Sequence, residues 1–573
     1  MPRSPSDAVY RYHDGTKHHY HRFAQSLGYL DWAAQPNPFR SYVGAPSFPL
    51  YPGPDAPADD YDPRPCSYAE LSEGSSRPVP TASISLAGDI LRHSLGLSAW
   101  KQYAHSRWSL RVNPSSGNLH PTESYLVCGS LRGVGGVPCV YHYEAERHAL
   151  ARRCAFAEPA WESACGPASA IMLVVLSSIH WRESWKYGER AFRYCHHDLG
   201  HAIAALRIAA AIVGWRARVL SEWPQRSIGA LVGLDRDEDF VDAEREDAAC
   251  IVALTSGDVP ASIASPNVGL INAVRDGHWT GRASQLSEDH VKWAFIEEIA
   301  RATEDPGHRL PRRETADPDH VLCGAETPSP MRTDTEGVLS ERQSGTRRSV
   351  SARELVVQRR SAVAFDGRSV MDRQAFLTML AQTMPRPLPP WDALWWPPSI
   401  HLVVFVHGVD QLDRGLYALG RTAGGVDKMR SCMRSDFLWE PADQTLPLSL
   451  LARGDCRDLA GRLSCDQRIA ADGYFSLGML ADFDAALDAW GPSSYRHLYW
   501  EAGVVGQVLY LEAEVSGARA TGIGCFYDDP VHDLLGLKGH TFQSLYHFTV
   551  GVPVDDARLT SVPGYEWELR PSG

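Results

Sequence analysis

The sequence predicts two tandem domains that share one mixed architecture of helices and strands. The 573 residues are too many for one hydrophobic core. The chain also matches itself without gaps at an offset of 303 residues. Each copy of the match contains a long helix that ends at a glycine and is followed by a short strand or loop. One structural unit is therefore expected to occur twice.

The internal match keeps residue type and spacing at positions that helices and turns constrain. Three glycines stay in step between the copies, which a chance pairing of two helical segments would not be expected to produce. The matched pairs are Arg193 with Arg496, Asp198 with Glu501, Gly200 with Gly503, Gly214 with Gly517, Ala217 with Ala520, Leu231 with Leu534, Gly233 with Gly536, and Leu234 with Leu537.

The elements of the first copy follow from the spacing of its apolar residues. Helical spacing predicts a helix from Ser83, and β-prone runs predict strands and a hairpin. A long helix from about Arg190 to Val213 ends at Gly214, because glycine readily adopts the left-handed conformation of a helix end. The predicted strands are Tyr125–Cys128, the hairpin arms Cys139–Tyr143 and His148–Arg152, and the buried run Ile171–Leu176.

Changes in composition mark the domain boundaries. The N-terminal segment is rich in Pro, Tyr, Asp and His and is expected to form an arm over a domain. A loop-rich stretch between the copies contains one amphipathic helix from Ser287 to Thr303. The predicted division is residues 1–80 as the arm, 81–260 as domain 1, 261–345 as a linker with a docking helix, and 346–573 as domain 2.

Bulk composition argues against several classes of function. A net charge of −13 disfavours nucleic acid as the main partner, because phosphate binding needs a basic surface. The longest apolar run, Ala170–Leu176, is too short to span a bilayer, so no membrane segment is expected. The N-terminus has no apolar signal core, which predicts a cytoplasmic protein.

No metal site is predicted. The 12 cysteines include no CxxC pair, so zinc is not expected and a reducing cytosol would keep the cysteines as free thiols. The run His18-His19-Tyr20-His21 suggests a metal. However, adjacent histidines point in different directions on any regular element, and no carboxylate or cysteine accompanies them.

The stretch Arg111–Pro121 is the loop with the most chemistry, and its sequence is Arg-Val-Asn-Pro-Ser-Ser-Gly-Asn-Leu-His-Pro. Asn113-Pro114 disfavours a helix, and Gly117-Asn118 tolerates the positive φ of a tight turn. Two serine hydroxyls, an asparagine amide and an imidazole would then lie where the next strand begins. A polar connecting loop whose side chains cap their own backbone would account for the same residues.

The two copies differ at their chemical motifs in a complementary way. Copy one has the Pro-Ser-Ser-Gly-Asn loop, where copy two has a proline and tryptophan run, Pro385–Pro398. Copy two has an Arg-Arg-Ser segment and a Gly-rich segment that copy one lacks, Arg359-Arg360-Ser361 and Gly522-Ile523-Gly524. A composite site shared between the halves explains this pattern more economically than independent decay of two sites.

With these motifs the chain resembles the nitroreductase superfamily of flavin enzymes. Within it the chain is similar to the SagB-type dehydrogenases, which include oxidases of thiazoline and oxazoline rings in ribosomal peptides. The resemblance covers most of residues 80–560. It implies an α+β fold of two tandem nitroreductase-like domains, each an antiparallel-dominated sheet wrapped by helices, which form an intramolecular pseudo-dimer. It also implies FMN at the interface between the halves, with one FMN per chain because the mirror-image site lacks both motifs.

The resemblance implies a role for each motif. The phosphate and ribityl groups of FMN would lie at the Arg-Arg-Ser segment, because guanidinium groups match a phosphate dianion. The serine loop would come from the opposite half, and backbone N–H groups of the Gly-rich segment would face flavin N5 and O4. The implied cofactor-binding residues are Pro114, Ser115, Ser116, Asn118, Arg359, Arg360, Ser361, Gly522, Ile523, Gly524 and, as a further phosphate ligand, Arg558.

The pair Lys186-Tyr187, just before the long helix of copy one, resembles the Lys-Tyr pair that azoline-oxidising members of the family use in catalysis. Copy two has Ala489-Trp490 at the matching place. The resemblance implies that Lys186 is a base, if burial lowers its pKa, and that Tyr187 relays a proton. A surface lysine beside a packing tyrosine would give the same two residues.

The resemblance therefore implies an FMN-dependent two-electron oxidoreductase that dehydrogenates a peptide-borne azoline or another natural-product intermediate. Its partners would be a small-molecule or peptide substrate and an enzyme of the same biosynthesis. An NAD(P)H-dependent nitro or quinone reductase would use the same cofactor site with the opposite electron flow. A non-catalytic flavin-binding or scaffold protein of a biosynthetic complex would use only the fold. The substrate, the electron acceptor and the choice between a monomer and a higher oligomer stay open.

Overall fold

The computed structural model of the protein describes residues 4–51, 61–73, 79–131, 134, 136–168, 170–310 and 350–569. Within these ranges each half of the chain builds one large sheet, and every ladder between neighbouring strands is antiparallel. The strands are β1 Tyr42–Val43, β2 Ser47–Pro49, β3 Leu97–Tyr103, β4 Ser106–Arg111, β5 Thr122–Cys128, β6 Cys139–Glu144, β7 Ala149–Ala155, β8 Ile171–Ser178, β9 Arg216–Val219, β10 Asp247–Thr255, β11 His278–Trp279, β12 Arg282–Ala283, β13 Ile400–Val406, β14 Gly415–Leu419, β15 Glu440–Pro441, β16 Leu448–Arg453, β17 Phe475–Asp482, β18 Arg519–Ile523, β19 Phe542–Gly551 and β20 Thr560–Pro563.

Helices pack against both sheets and share their apolar cores. None of the described helices is both long enough and apolar enough to cross a membrane. The helices are α1 Pro5–Gly15, α2 Tyr68–Glu73, α3 Ile84–Arg92, α4 Glu158–Cys165, α5 His180–Tyr187, α6 Ala191–Ile212, α7 Gln225–Val232, α8 Ala261–Ala264, α9 Val268–Arg275, α10 Ala294–Ala302, α11 Ala352–Gln358, α12 Arg373–Gln382, α13 Gly425–Cys432, α14 Arg457–Leu463, α15 Ile469–Asp472, α16 Phe483–Trp490, α17 Ser494–Val515 and α18 Asp528–Leu535.

The order of the strands shows how the two halves are joined. The first sheet has the order β11-β7-β6-β5-β8-β10-β9, with β2 also paired to β7, and the second has the order β15-β16-β14-β13-β17-β19-β18. A third sheet has the order β20-β3-β4, so the last strand of the second half pairs with a hairpin of the first half. The C-terminal end of the second half therefore contributes a strand to a sheet of the first half.

The two long helices α6 and α17 form the centre of the molecule. Each has 22 residues, and the bounds of α17 lie 303 residues beyond those of α6. Gly200 lies so close to the carbonyl of Trp500 that a Cβ there would overlap the oxygen. Gly503 lies equally close to the carbonyl of His197. The two matched glycines mark the crossing point of the halves, and the predicted repeat is confirmed.

Two short helices dock beside this crossing in equivalent ways. Thr16, at the end of α1, accepts a hydrogen bond from Nε of Arg193 at 2.9 Å. Thr303, at the end of α10, accepts one from Nε of Arg496 at 3.0 Å. Arg193 and Arg496 are themselves a matched pair of the repeat. The N-terminal helix α1 and the docking helix α10 are thus structural counterparts.

Most predicted elements of the first half are confirmed, with one exception. Strands β5 to β8 and the helices α3 and α6 occur where the spacing of apolar residues predicts them. The helix predicted from Ser287 begins only at Ala294, however. The N–H groups of Leu286 and Ser287 donate to the carboxylate of Glu244 at 2.9 and 3.0 Å, which holds this stretch outside a helix.

Confirmation of the repeat does not establish where the predicted domains begin and end. The boundaries at residues 1–80, 81–260, 261–345 and 346–573 stay a prediction. Part of the predicted linker and the start of domain 2, residues 311–349, lie outside the described residues. Within the predicted arm, β2 pairs with β7 and β1 pairs with β12. The arm is therefore integrated into the sheets of the first half.

Candidate functional site

The serine loop lies between β4 and β5 and is anchored to α6. The N–H group and the hydroxyl of Ser116 both donate to Oδ1 of Asp198, each at 3.1 Å. The hydroxyl of Ser115 accepts the N–H of His120 at 2.8 Å. Pro114, which precedes them, is buried. The loop is thus a fixed part of the structure, and part of its serine chemistry is used to hold its own shape.

The turn of this loop brings it against the Lys-Tyr pair. Gly117 and Asn118 have φ values of 58° and 60°, in the left-handed region that a tight turn needs. A Cβ at Gly117 would lie 2.6 Å from the hydroxyl of Tyr187 and 3.3 Å from Nζ of Lys186. The ring of Tyr187 stands edge-on to that of Tyr194, with 4.6 Å between centroids. Two motifs that are separate in sequence therefore meet.

Lys186 and Tyr187 have different surroundings. Lys186 is exposed, so it lacks the burial that its predicted role as a catalytic base required. Tyr187 is half-buried, and burial together with the nearby Glu183 raises its pKa well above that of an ordinary phenol. Tyr187 is therefore a neutral phenol at neutral pH, with a proton to donate or relay.

Two buried carboxyl groups lie close to this pair, and the sequence prediction missed both as site residues. Glu183 and Asp198 are 0% and 1% exposed. Among the described residues, neither oxygen of Glu183 nor Oδ2 of Asp198 has a hydrogen-bond partner. Burial raises the pKa of Asp198 to about 7, and burial with repulsion from Asp198 raises the pKa of Glu183 well above its usual value. The sequence did contain a signal for Asp198, because the matched residue of copy two, Glu501, is also an acid.

Arg359 connects the second half to the serine loop. It is 3% exposed, and its Nε and Nη2 donate to the carbonyls of Val112 and Arg111 at 3.1 and 3.0 Å, directly before the loop. Its guanidinium lies over the ring of Tyr510 at 4.9 Å. Nη1 of Arg359 has no partner in the described part of the chain. Arg359 therefore positions the loop and retains an unsatisfied donor.

Cations outnumber acids around Arg360, whose own backbone N–H donates to the carboxylate of Glu514 at 3.1 Å. Three of the five guanidinium N–H donors of Arg360 bind the carbonyls of Val357, Arg359 and Ser98, at 2.6, 2.7 and 3.0 Å. Burial and the neighbouring Arg359 lower the pKa of Arg360 to about 10. Burial and Arg360 lower the pKa of Lys101 in turn. Cations that depress one another's pKa are favourable surroundings for an anion, and Lys101 was not predicted from the sequence.

Ser361 and the Gly-rich segment meet at one tyrosine. The hydroxyl of Ser361 lies 2.8 Å from the hydroxyl of Tyr510, and the N–H of Gly522 donates to the same oxygen at 3.0 Å. Ser361 also forms a β-bridge with Ala520. The hydroxyl of Tyr546 lies against Gly522 where a Cβ would be. The N–H of Gly522 is therefore used within the protein, whereas the prediction gave it to a ligand.

The chain just beyond β18 has unused backbone donors. Ile523 is buried in β18. The N–H groups of Gly524 and Cys525 donate to no acceptor within the described ranges. Gly524 lies too close to the ring of Tyr194 to accommodate a Cβ, and its carbonyl accepts Nη2 of Arg190 at 3.2 Å. This segment thus lies where the two halves touch.

Arg558, the last of the predicted phosphate ligands, is paired with a neighbouring acid at the surface. Its side chain is 70% exposed and forms an ion pair with Asp556 at 2.6 Å. Its guanidinium carbon is 5.3 Å from the ring centroid of Tyr103. No contact with the Arg-Arg-Ser segment is found among the residues that the structure describes. The structure brings the other predicted site residues together around the interface of the halves, but not Arg558.

Aromatic side chains fill the mirror-image position. Trp490, the counterpart of Tyr187, packs against Trp395 with 5.4 Å between ring centroids. His497 is the counterpart of Tyr194, and Trp396 stacks on it at 4.8 Å with 13° between the ring planes. Trp395 and Trp396 belong to the proline and tryptophan run that replaces the serine loop in copy two.

The counterpart of Asp198 is neutralised as well. Glu501 forms an ion pair with Arg421 at 2.6 Å and accepts the N–H of Ser399 at 2.8 Å. Asp198 has no cationic partner within the described part of the chain. The two halves therefore offer one polar position with unsatisfied groups and one position that is packed and charge-balanced.

Comparison with solved structures identifies the architecture. A candidate nitroreductase from Anabaena variabilis matches over 96% of this chain and 99% of its own, with a TM-score of 0.63 and 19% sequence identity. The chain has a nitroreductase fold. Nitroreductase A from Vibrio parahaemolyticus matches over 35% of this chain and 66% of its own, at 14% identity and a TM-score of 0.22. The E. coli microcin synthetase McbBCD complex with truncated pro-MccB17 bound matches over 48% and 85%, at 16% identity and a TM-score of 0.26.

The nitroreductase fold confirms the predicted fold class, two tandem nitroreductase-like domains with antiparallel sheets wrapped by helices. No family model matches the sequence, and no curated protein is significantly similar to it. The pseudo-dimer of this nitroreductase fold is intramolecular, since both sheets and both long helices belong to one chain. The described contacts between the two halves at the candidate site therefore join parts of one chain.

Proposed function

We propose that the protein is an FMN-dependent oxidoreductase with one composite site built from both halves. The observation that carries this proposal is the meeting of four motifs that are far apart in sequence. Arg359 of the second half binds the carbonyls that precede the serine loop of the first half. Gly117 in that loop touches Tyr187, and the Gly-rich segment touches Tyr194 through Gly524.

The Arg-Arg-Ser end of the site suits the phosphate of FMN. Arg359 retains an unsatisfied Nη1, and Arg360 retains two N–H donors that bind nothing within the described residues. Lys101 adds a third cation. A phosphate dianion would offset the burial and the repulsion from Arg359 that lower the pKa of Arg360, and its charge-assisted hydrogen bonds would be strong.

The Gly-rich end of the site suits the flavin ring. Gly524 and Cys525 offer two backbone N–H groups with fixed positions, and the absence of a side chain at Gly524 lets the ring of Tyr194 pack directly against this segment. When bound, FMN would supply hydride transfer, and fixed N–H donors stabilise the negative charge that a reduced ring carries. Donors of this kind need no rearrangement during the reaction.

The Lys-Tyr pair and the buried carboxyl groups supply the proton chemistry. Dehydrogenation releases a proton, and the hydroxyl of Tyr187 relays it because this phenol is neutral at working pH. Asp198, with a pKa of about 7, is partly ionised at neutral pH and can take up a proton. Lys186 holds its ammonium group beside the loop and orients the substrate.

We propose a SagB-type reaction, in which the compound oxidised is a peptide-borne azoline or a related natural-product intermediate. Lys186, Gly117 and Ser361 are exposed, so this side of the site is open to a large substrate such as a peptide. The proposal also includes a partner enzyme of the same biosynthesis and a cytoplasmic location.

To test this proposal, FMN-loaded protein is mixed without oxygen with a thiazoline-containing peptide or with NADPH. Bleaching of the flavin by the peptide alone is the expected result. Bleaching by NADPH alone would indicate a reductase, and bleaching by neither would indicate a scaffold.

The first prediction concerns stoichiometry. We expect one FMN per chain, because aromatic side chains occupy the mirror-image position and Glu501 there is already paired with Arg421. Acid release of flavin from the pure holoprotein, measured against protein concentration, should approach a ratio of one. A ratio of two would show that the mirror position also binds flavin.

The second prediction concerns the phosphate end. Arg360→Ala should weaken FMN binding by roughly ten- to a hundred-fold, since a charge-assisted hydrogen bond to phosphate contributes about 1.5–3 kcal/mol. Riboflavin, which lacks the phosphate, should bind wild type and variant equally. Titration of both ligands by quenching of flavin fluorescence gives the two affinities.

Arg558→Ala is the matched control for this measurement, because Arg558 was also a predicted phosphate ligand but is exposed and paired with Asp556. Its affinity for FMN should equal that of wild type. Equal losses of FMN and riboflavin affinity in Arg360→Ala would place the phosphate elsewhere. The three backbone carbonyls that Arg360 binds would then explain the loss through a local change of structure.

A further inference from the structure

Two cysteines lie in contact at the flank of the candidate site. Cys525 follows Gly524 directly, and Cys465 lies in the loop after α14. Their Sγ atoms are 2.8 Å apart, and Nδ1 of His18 is 3.6 Å from Sγ of Cys525. The three residues come from the N-terminal segment and from two places in the second half. They are distant in sequence and only folding brings them together, so no CxxC motif marks the pair.

Hydrogen bonds fix the two cysteine-bearing segments to one another. Nε2 of Gln467 donates to the carbonyls of Ser464 and Cys525, at 2.8 and 3.0 Å. Tyr527 completes the connection, since its N–H donates to the carbonyl of Leu463 at 2.8 Å. The approach of the two sulfurs is therefore part of the local architecture, and a covalent bond between them requires only a small further movement.

The environment activates one sulfur of the pair. The hydrogen bond from Cys465, followed by the influence of His18, holds the pKa of Cys525 well below that of an ordinary thiol, and the same interaction raises the pKa of Cys465. Both residues are partly exposed, whereas eight other described cysteines are buried. A thiolate beside a protonated thiol is the arrangement that thiol–disulfide exchange uses, with one attacking and one resolving sulfur.

We propose that Cys465 and Cys525 are a redox-active pair that closes reversibly to a disulfide by exchange with a small-molecule disulfide. The Cys525 thiolate attacks the external disulfide, forms a mixed disulfide and releases one thiolate. The Cys465 sulfur, as it loses its proton to that thiolate, attacks Sγ of Cys525 and releases a second thiolate, which takes a proton from solvent. The two cysteines lose two electrons in total, and one external disulfide becomes two thiols.

A metal site is the other arrangement that His18, Cys465 and Cys525 suggest, because their ligand atoms all lie within 4.8 Å of one another. Two thiolates on one tetrahedral zinc ion would be about 3.8 Å apart, given a Zn–S distance of about 2.3 Å. The observed 2.8 Å lies between that value and the roughly 2.05 Å of a disulfide. The separation of the sulfurs therefore favours the thiol pair.

Closing the pair would change the candidate site in two ways. The negative charge on Cys525 contributes to the raised pKa of Tyr187, so its loss would lower that pKa. The bond would also tie the segment that carries the free N–H groups of Gly524 and Cys525 to the loop of Cys465. The disulfide itself does not depend on the proposed function, because neither a flavin nor a substrate takes part in its formation.

The test uses the full-length protein, first reduced and then incubated with oxidised glutathione. After alkylation under denaturing conditions, peptide mass analysis is expected to find Cys465 joined to Cys525, and dithiothreitol should reverse this bond. Cys465→Ser should stop at a glutathione adduct on Cys525. Cys432→Ser, which removes the other partly exposed cysteine, should leave the pair unchanged. At pH 6 Cys525 should react about ten-fold faster than Cys432, because its thiolate persists there.

Two results would overturn the proposal. One is a wild-type protein in which both cysteines remain alkylatable at all ratios of oxidised to reduced glutathione. The other is one equivalent of zinc that remains after dialysis in wild type and is lost in both Cys465→Ser and Cys525→Ser. The wild-type measurement is decisive even if a variant does not fold. Flavin content plays no part in it, so failure of the proposed function would leave the cross-link measurable.

Discussion

Replacing Asp528 with asparagine is expected to lower the free energy of unfolding by about 3–5 kcal/mol, the usual cost of breaking a buried ion pair by removing one partner. Asp528 is 0% exposed and accepts hydrogen bonds from Arg190 and Arg193, each at 2.9 Å. It also accepts the N–H of His18 at 2.8 Å. Its loss would leave two buried guanidinium groups without their shared carboxylate, at the place where both halves and the N-terminal segment meet. Urea unfolding followed by tryptophan fluorescence measures the difference.

The dependence of this difference on pH identifies its cause. Burial opposes ionisation of Asp528, but Arg190 and Arg193 hold its pKa well below the usual 3.8. A carboxyl group whose pKa is lowered in the folded state stabilises that state above the unfolded pKa, and the stabilisation is lost as pH falls through the folded value. The gap between wild type and variant should be full above about pH 5 and should shrink toward about pH 3.

Asp529→Asn is the matched control. Asp529 is the next residue along α18, but 37% of its side chain is exposed, and its cationic partners Lys17 and Arg22 lie 3.6 and 4.0 Å away. Because Asp529 is partly exposed and both of its ion pairs are long, they are expected to contribute about 0–1 kcal/mol. Similar losses in the two variants would mean that helix α18 as a whole, rather than the buried charge of Asp528, determines the effect.

Tyr187→Phe is expected to slow substrate-driven reduction of bound FMN by about a hundred-fold, the typical contribution of a positioned proton-transfer group. Lys186→Ala is expected to slow it by about the same factor for another reason, because the substrate loses the side chain that orients it. Tyr187→Phe keeps the ring against Tyr194 and removes only the hydroxyl, which separates proton relay from packing. The yellow colour and the flavin content should not change. Anaerobic stopped-flow mixing of the loaded protein with the azoline substrate measures the rate of a single turnover.

Lys292→Ala provides the control for these variants, because Lys292 is also an exposed lysine but lies outside the candidate site. Its rate should equal that of wild type. Wild-type rates in both Tyr187→Phe and Lys186→Ala would make residues 185–188 a structural lead into helix α6, with no role in the reaction. A loss in Lys186→Ala alone would assign the effect to the orientation of the substrate by the ammonium group.

The architecture was predictable because periodic apolar spacing and glycine positions determine it directly. The match of Gly200 with Gly503 marks the helix crossing, where no side chain fits against the carbonyl of the opposite helix. The bounds of α6 and α17 keep the predicted offset of 303 residues. The late start of α10 was not predictable, since the carboxylate that holds back its first turn comes from Glu244, more than 40 positions away.

The site was predictable only where its residues form contiguous sequence motifs. The serine loop and the Lys-Tyr pair meet, but nothing local in the sequence shows that Lys186 is exposed while Glu183 is buried without a partner. The charge cluster around Arg360 includes Lys101 from a distant strand, and Arg558 binds Asp556 instead. Such contacts depend on tertiary packing, and no spacing rule reports them.

The packing of tryptophans at the mirror-image position has a consequence for how such a chain can change. In a symmetric homodimer every substitution occurs twice, so a residue that closes one active site closes the other as well. In a tandem chain the two positions are encoded separately, and one of them is free to become core. Trp395, Trp396 and Trp490 make use of that freedom. One half can thus specialise in rigidity while the other retains its open, reactive surface.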